Sequence, residues 1–356
     1  MTKDNSKILS VDLKLNSQKY KAKDRQDLKF TLTNNSNERV NVLKWQTPLE
    51  GIKNDMFWVK RQEEVAVYLG KLVKRSAPGP HDYITLDPKE SVSTHIDISE
   101  VYDISKSGKY TIEFDSRVLD VGTEEPHTLS ARLDNTAEPN IQRLRSKVVD
   151  FDLLEDREAK QSKGVALETV ERMDTAAAEG SIFSSCTTNQ RNQLVETLEA
   201  AQGMANNIQT ALKTTQEASR PNSRRYREWF GVYTSQNYDK IIRDFDMIKD
   251  ALSNKQITFN CSMADCSSGE FAHVFPVRPY EIFLCSSFWN ADLTGTDSRG
   301  GTLIHEISHF NVVSGTDDIV YGQPNCRHLA INNPLDALNN ADSHEYIAEN
   351  NPWLDM

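Results

Sequence analysis

Apolar residues change their period part-way along this chain, and that change demands two kinds of folding unit. From Lys7 to about Arg132, short runs alternate apolar with polar residues, as in Ile8 to Leu15, Leu28 to Leu32 and Tyr110 to Phe114. A period of two puts one face of each run on a core and the other in water, so each reads as a half-buried strand. Turn clusters at Asn34 to Asn37, Ala77 to Pro80 and Ser107-Gly108 separate them. The spacing predicts an all-β, immunoglobulin-like sandwich over 1–134.

Beyond Cys186 the period lengthens. Leu194, Leu198, Ala201, Ala205, Ile208 and Leu212 recur at alternating steps of four and three, which draws one apolar stripe along a long helix. A second helix is expected near Tyr238 to Leu252, then short strands over Phe271 to Leu284, interrupted by Pro276 and Pro279. The second domain, 181–356, is therefore expected to be mainly helical, α+β. Between the two lies 135–180, where Asp150 to Lys163 is dense in charge and Thr175 to Gly180 is small and polar. That stretch reads as a partly helical linker, the kind of exposed segment that proteases cut.

At 356 residues the chain is long for one core and comfortable for two. No apolar run approaches the roughly 18 residues that span a bilayer. The start, MTKDNSKILS, has no apolar targeting core, which suits a cytoplasmic chain or one whose secretory signal is already removed. The cysteines favour the second: Cys186, Cys261, Cys266, Cys285 and Cys326 all fall in the second half, without paired C-x-x-C spacing, as disulfides would. Residues 1–180 carry 28 basic and 31 acidic side chains (28 − 31 = −3), and the remainder supplies −8 of the net −11. An acidic second half argues against a nucleic-acid partner and would attract cationic substrates, although a solvated surface looks the same.

Chemistry concentrates in Gly301 to Gly322, GTLIHEISHFNVVSGTDDIVYG. On a helix, His305 and His309 share a face and can offer two imidazole nitrogens to one ion, with Glu306 turned toward a bound water. A catalytic zinc needs a third protein ligand and one open position. Asp317 or Asp318, in a glycine-bracketed turn just downstream, can supply the oxygen.

His305-Glu306-x-x-His309 followed by Gly315-Thr316-x-Asp318-x-x-Tyr321-Gly322 resembles the signature of the aspzincins, the deuterolysin-type zinc peptidases. The resemblance runs from about Ser185 to the C-terminus and is nearest the peptidyl-Lys metalloendopeptidase branch. Tyr226 to Gly231, Thr294 to Ser298 and Asn340 to Asn350 carry it. It implies a zincin-type second domain with one zinc on His305, His309 and Asp318. Glu306 would be the base that activates water, and Tyr321 the donor to the oxyanion. In that branch two acidic residues on the late helix receive a lysine side chain on the leaving side of the cut bond, and the matching residues are Asp342 and Glu345. The resemblance also implies disulfides Cys186–Cys261 and Cys266–Cys285, leaving Cys326 a free buried thiol. His344 is read as a packing or surface residue, and His81, His95, His127, His273 and His328 have no matching role.

The expected protein is thus a secreted, monomeric zinc endopeptidase in zymogen form, acting on proteins before lysine. Residues 1 to about 180 would be an intramolecular pro-domain, with Lys160 and Lys163 as candidate self-cut sites. Competing expectations are a permanent accessory domain in place of the pro-domain, a broad-specificity deuterolysin-like endopeptidase, and a catalytically silent binding protein.

Overall fold

The computed structural model describes residues 8–125, 140–158, 170–172 and 180–356. The chain packs as two compact units, Met1–Gly70 with Pro78–Lys163, and Lys71–Ala77 with Gly164–Met356.

The first unit is strand-rich. One antiparallel sheet joins Leu9–Leu15, Asp27–Asn34 and Ser91–Asp97. A second runs from Lys19–Tyr20 through Val149–Leu153, Gly108–Val118 and Phe57–Arg61 to Glu64–Val65, and a third joins Val121–Gly122, Val40–Leu43 and Tyr83–Leu86. The alternation works as expected: Leu28, Phe30 and Leu32 are fully buried on one face, and Ile112 and Phe114 on another. Phe30 meets Phe114 with ring centroids 5.1 Å apart, so these two faces share one core. Each such ring removed from water contributes roughly 1.5–3 kcal/mol. The linker reading fails at Val149–Leu153, a strand that pairs with Gly108–Val118. Its charged residues mislead because Phe151 and Leu153 between them point inward, stacking Phe151 on Tyr110.

The second unit holds a six-stranded sheet in the order Val170–Arg172, Ile182–Ser184, Thr258–Asn260, Glu281–Leu284, Glu270–Val274, Leu72–Arg75. The three consecutive strands from Ile182–Ser184 to Glu281–Leu284 are parallel, and Glu270–Val274 turns antiparallel to them. The last strand, Leu72–Arg75, comes from the stretch that alternation assigned to the first domain. Helix Thr188–Thr214 starts at a capping box between Thr187 and Gln190 and buries all six residues of the expected stripe. Helix Ser235–Asn254 is capped by the Thr234 hydroxyl and covers the second predicted helix. Both disulfides are present, Cys186–Cys261 and Cys266–Cys285, and Cys326 is free and buried. No helix among the described residues is long and apolar enough to cross a membrane.

Candidate metal centre and acidic pocket

The site begins with helix Arg299–His309, whose first turn is capped by Ser298 Oγ accepting from the Gly301 N–H at 2.9 Å. Every residue from Gly300 to His309 is buried, so the helix runs through the interior and its histidine face looks onto protein. After Phe310 the chain reverses through Gly315, whose φ of 59° lies in the left-handed region that glycine tolerates. Asn340 then fastens the returning loop, its Oδ1 accepting from the N–H groups of Ile319 and Val320 at 3.0 Å each. Asp317 N–H donates to the Asn339 carbonyl, and Ala341 N–H to the Asp317 carbonyl. The loop bearing Asp318 is thereby stapled to the start of helix Ala341–Glu349.

These constraints converge three donors. Asp318 Oδ1 lies 3.1 Å from His305 Nε2 and 3.5 Å from His309 Nε2, with all three side chains buried. The far nitrogen of each ring is also held. His309 Nδ1 is 2.8 Å from the Thr316 carbonyl, which can only accept, so Nδ1 carries the proton and Nε2 presents its lone pair. His305 Nδ1 faces Asp342 Oδ1 at 2.8 Å and Glu345 Oε2 at 3.3 Å, which sets the same tautomer. The Nε2 atoms of both histidines, and both oxygens of Glu306, are buried without a hydrogen bond. Such orphaned groups are costly in a dry interior, and a cation between them would answer the cost. Two neutral imidazoles and one carboxylate are the donor set of a tetrahedral zinc with an open position, so the residues present fit zinc.

Electrostatics follow the same lines. Burial works against a charged His305, but Asp318, Asp342 and Glu345 outweigh it and hold its pKa well above the ordinary imidazole value. Glu306 is pushed well up, first by burial and then by Asp318, against the pull of His305. Asp318 is held below the usual carboxylate range by the two histidines in spite of its burial.

Beside the donors lies a pocket of carboxylates. Asp342 and Glu345 share a face of helix Ala341–Glu349, as residues three apart must, and both are buried. Their approach to the histidine helix depends on Gly301, where a β-carbon would collide with the carboxylates of Glu345 and Glu349. Asp342 Oδ2 accepts from Gly322 N–H at 2.7 Å and from the Tyr346 hydroxyl at 3.2 Å. Lys74 fills the pocket: its ammonium donates to Glu345 Oε2 at 2.6 Å and Asp297 Oδ1 at 3.1 Å, with Asp342 Oδ1 at 3.7 Å. Burial would strip the Lys74 proton, yet Asp342, Glu345 and Asp297 together raise its pKa well above the ordinary value. Glu345 is pushed up by burial, whereas Lys74 and His305 keep Asp342 low despite burial.

The structure thus brings His305, Glu306, His309, Asp318, Asp342 and Glu345 into one neighbourhood. Tyr321 joins them, its hydroxyl donating to the Val73 carbonyl at 3.0 Å. Asp317 does not; its carboxylate accepts from Asn339 on the loop's other side. His344 is a packing residue, buried between Phe230 and Phe245 and held by Asp244 at 3.0 Å. His273 stacks on Phe283, and His81 and His95 are exposed. Cys266, Glu270, His273 and Cys285 also cluster, but the two sulfurs are joined to each other. His127, Lys160 and Lys163 lie outside the described residues. Sequence reasoning missed Asp297, Lys74, Tyr346 and the clamp Asn340. Asp297 and Asn340 stood inside segments quoted for the family resemblance; Lys74 carried no signal, because nothing local marks a lysine destined for a distant pocket.

A family profile described as lysine-specific metallo-endopeptidase matches residues 215–349. An extracellular protease of Aeromonas hydrophila is 40% identical over 91% of this chain and 87% of its own length. A peptidyl-Lys metalloendopeptidase of Pleurotus ostreatus is 42% identical over 48% of this chain and 98% of its own. Among solved structures, a zinc peptidase from Grifola frondosa is 36% identical, covers 48% of this chain and all (100%) of its own, and has a TM-score of 0.44.

Proposed function

Because this chain belongs to the aspzincin family of zinc metalloendopeptidases, we propose that it is the exported precursor of an enzyme that cuts proteins on the N-terminal side of lysine. The observation that carries the lysine reading is the pocket of Asp342, Glu345 and Asp297 beside the histidines, already bonded to a lysine ammonium. Charge-assisted hydrogen bonds to two or three carboxylates select an ammonium on a four-carbon stem, which shorter or neutral side chains cannot match. Export is supported by the two disulfides and by the name of the Aeromonas relative.

In the proposed mechanism His305, His309 and Asp318 would hold the metal, and Thr316, Asp342 and Glu345 orient the two imidazoles. Zinc, when bound, supplies a Lewis acid that lowers the pKa of a water toward ~7. Glu306 would take the proton of the attacking water and return it to the departing amine. The Tyr321 hydroxyl donates to the oxygen on which negative charge develops. The strand-rich first unit acts as an immunoglobulin-like pro-domain, the segment cut on activation lies beyond the strand Val149–Leu153, and the mature, monomeric zincin-type domain follows.

Digesting a mixed protein substrate and sequencing the new N-termini tests the reading. Lysine at nearly all new starts is expected. Mixed starts would replace it with a broad-specificity endopeptidase, and no starts from zinc-loaded, processed protein would leave a silent binding protein.

A further inference from the structure

Outside the histidine centre, four side chains of the second unit meet at one point. Cys266, Glu270, His273 and Cys285 each bring one donor atom within 4.8 Å of the other three. The two sulfurs form a disulfide, which is uncharged and asks for no polar neighbours. Yet strand Glu270–Val274 turns a carboxylate and an imidazole toward it, both wholly buried. Glu270 Oε2 lies 3.9 Å and His273 Nδ1 3.8 Å from the Cys285 sulfur, and these two atoms are 4.0 Å from each other. His273 stacks flat on Phe283, with ring centroids 4.9 Å apart, which fixes the ring edge that it presents to the sulfur. The Ser267 N–H donates to Glu270 Oε2 at 3.0 Å and holds the carboxylate in place.

We propose that these four residues form a second metal site, which takes zinc or another thiophilic divalent cation when the disulfide is reduced. In a tetrahedral zinc site, metal bonds of about 2.0–2.3 Å put the donor atoms about 3.3–3.8 Å apart. The three separations among Cys285, Glu270 and His273 are within a few tenths of an ångström of that range. Once their bond is cut, nonbonded repulsion drives the two sulfurs apart toward the same range. Reduction gives the disulfide two electrons and two protons from a thiol or phosphine reductant, which leaves as its own disulfide or as a phosphine oxide. Both new thiols lose their protons when the cation binds, and His273 binds as a neutral imidazole through Nδ1. Two thiolates and the Glu270 carboxylate against a divalent cation leave one negative charge. Lys71, with Nζ 3.8 Å from Glu270 Oε2, balances it, so the loaded site is neutral overall. Thiolate and imidazole donors select zinc over magnesium or calcium. The cation ties the same two chain positions as the disulfide, so a reduced chain keeps this corner of the sheet closed.

The test uses the full chain, oxidised or reduced with a phosphine, and loaded with zinc or with cobalt(II). Oxidised protein should hold one zinc per chain, at the histidine centre, and reduced protein two. Cobalt in the second site should show the near-ultraviolet charge-transfer absorption of thiolate ligands, which the imidazole and carboxylate donors of the first centre cannot give. Cys285→Ser should abolish that absorption and the second equivalent while leaving the first, and His273→Gln should weaken the second equivalent roughly tenfold or more. A reduced chain that holds only one zinc, a thiolate–cobalt absorption that survives Cys285→Ser, or a second equivalent as tight in His273→Gln as in wild type would each overturn the proposal. Should Cys285→Ser not fold, alkylation of the reduced wild-type chain is read instead, with the labelled cysteines mapped by mass spectrometry. Zinc should then shield Cys266 and Cys285, and labelling of this pair as fast with zinc as without it would overturn the proposal. Unfolding of the reduced chain in the presence of zinc would do the same, because the four donors meet only in the folded sheet. None of these readouts depends on peptide hydrolysis or on the lysine reading.

Discussion

The two units of this protein are stabilised in different ways. In the first unit the described core is mainly apolar: Phe30 and Phe57 both pack on Phe114, beside the buried Ile112, and the few buried polar groups are hydrogen-bonded singly, as Asp120 is by the Tyr83 hydroxyl. In the second, Lys74, His305, Glu306, His309, Asp318, Asp342 and Glu345 are all wholly or almost wholly buried within one network. Water would solvate each of these groups better than protein does unless every charge is answered, so this network is specified by partners and not by hydrophobicity. The difference teaches where fragility lies: the first unit should respond to lost volume, the second to lost charges, metal and covalent ties.

The largest effect should come from a change that alters no packing. Glu306→Gln keeps the shape of the buried side chain but not the base, so hydrolysis should fall by roughly a thousandfold or more while zinc content, read by atomic absorption, stays near one per chain. Hydrolysis near the wild-type rate would remove Glu306 from the mechanism. Next come the disulfides, both in the second unit. Serine at Cys186 and Cys261, 75 residues apart, should cost about 4 kcal/mol, and at Cys266 and Cys285, 19 apart, about 3 kcal/mol, by loop-closure entropy. Denaturant melts that moved the first unit's transition as far would break the contrast.

Within the pocket, Asp342→Asn should lower both turnover and lysine preference, because Asp342 faces His305 Nδ1 at 2.8 Å as well as the ammonium. A loss of about 10–100-fold in activity or zinc affinity is expected from disturbing a carboxylate that orients a ligand. Glu345→Gln, whose nearest partner is the ammonium at 2.6 Å, should weigh mainly on KM for lysine substrates. Identical kinetic profiles for the two variants would show that they do one job.

The smallest effect concerns pH. Burial, reinforced by Glu345, raises the Glu349 carboxyl to about 9. A raised carboxyl favours the folded state fully below its unfolded value near 4.5, and that contribution drains away as pH rises toward 9. Glu349→Gln, which keeps an acceptor for Ser298, should flatten this decline, a change worth roughly 2–4 °C in Tm per kcal/mol. Parallel Tm curves for variant and wild type between pH 5 and 9 would refute the shift.

Much of the scaffold was legible because its signals are local. Alternation at Leu28 to Leu32 and the four-three stripe from Leu194 to Leu212 report which face is buried whatever it is buried against. His305 and His309 needed only a helix to meet, and Asp342 and Glu345 likewise. Val149–Leu153 was misread because charge density hid the inward pair Phe151 and Leu153. Asp297 and Tyr346, whose hydroxyl donates to Asp297 at 2.8 Å, could be read as pocket residues only once distant segments were joined.

What the sequence determined by itself, then, is the set of short-range geometries: which residues share a helix face, which glycines allow a reversal, and which signature spacing can gather two imidazoles and a carboxylate. The tertiary structure alone decided what fills the acidic pocket. Lys74 is an ordinary lysine in a strand-forming run, and its role depends on a sheet register with Glu270–Val274 and on carboxylates more than two hundred positions away. A charge can be buried wherever the folded chain supplies its partners, and no local pattern records where those partners will be.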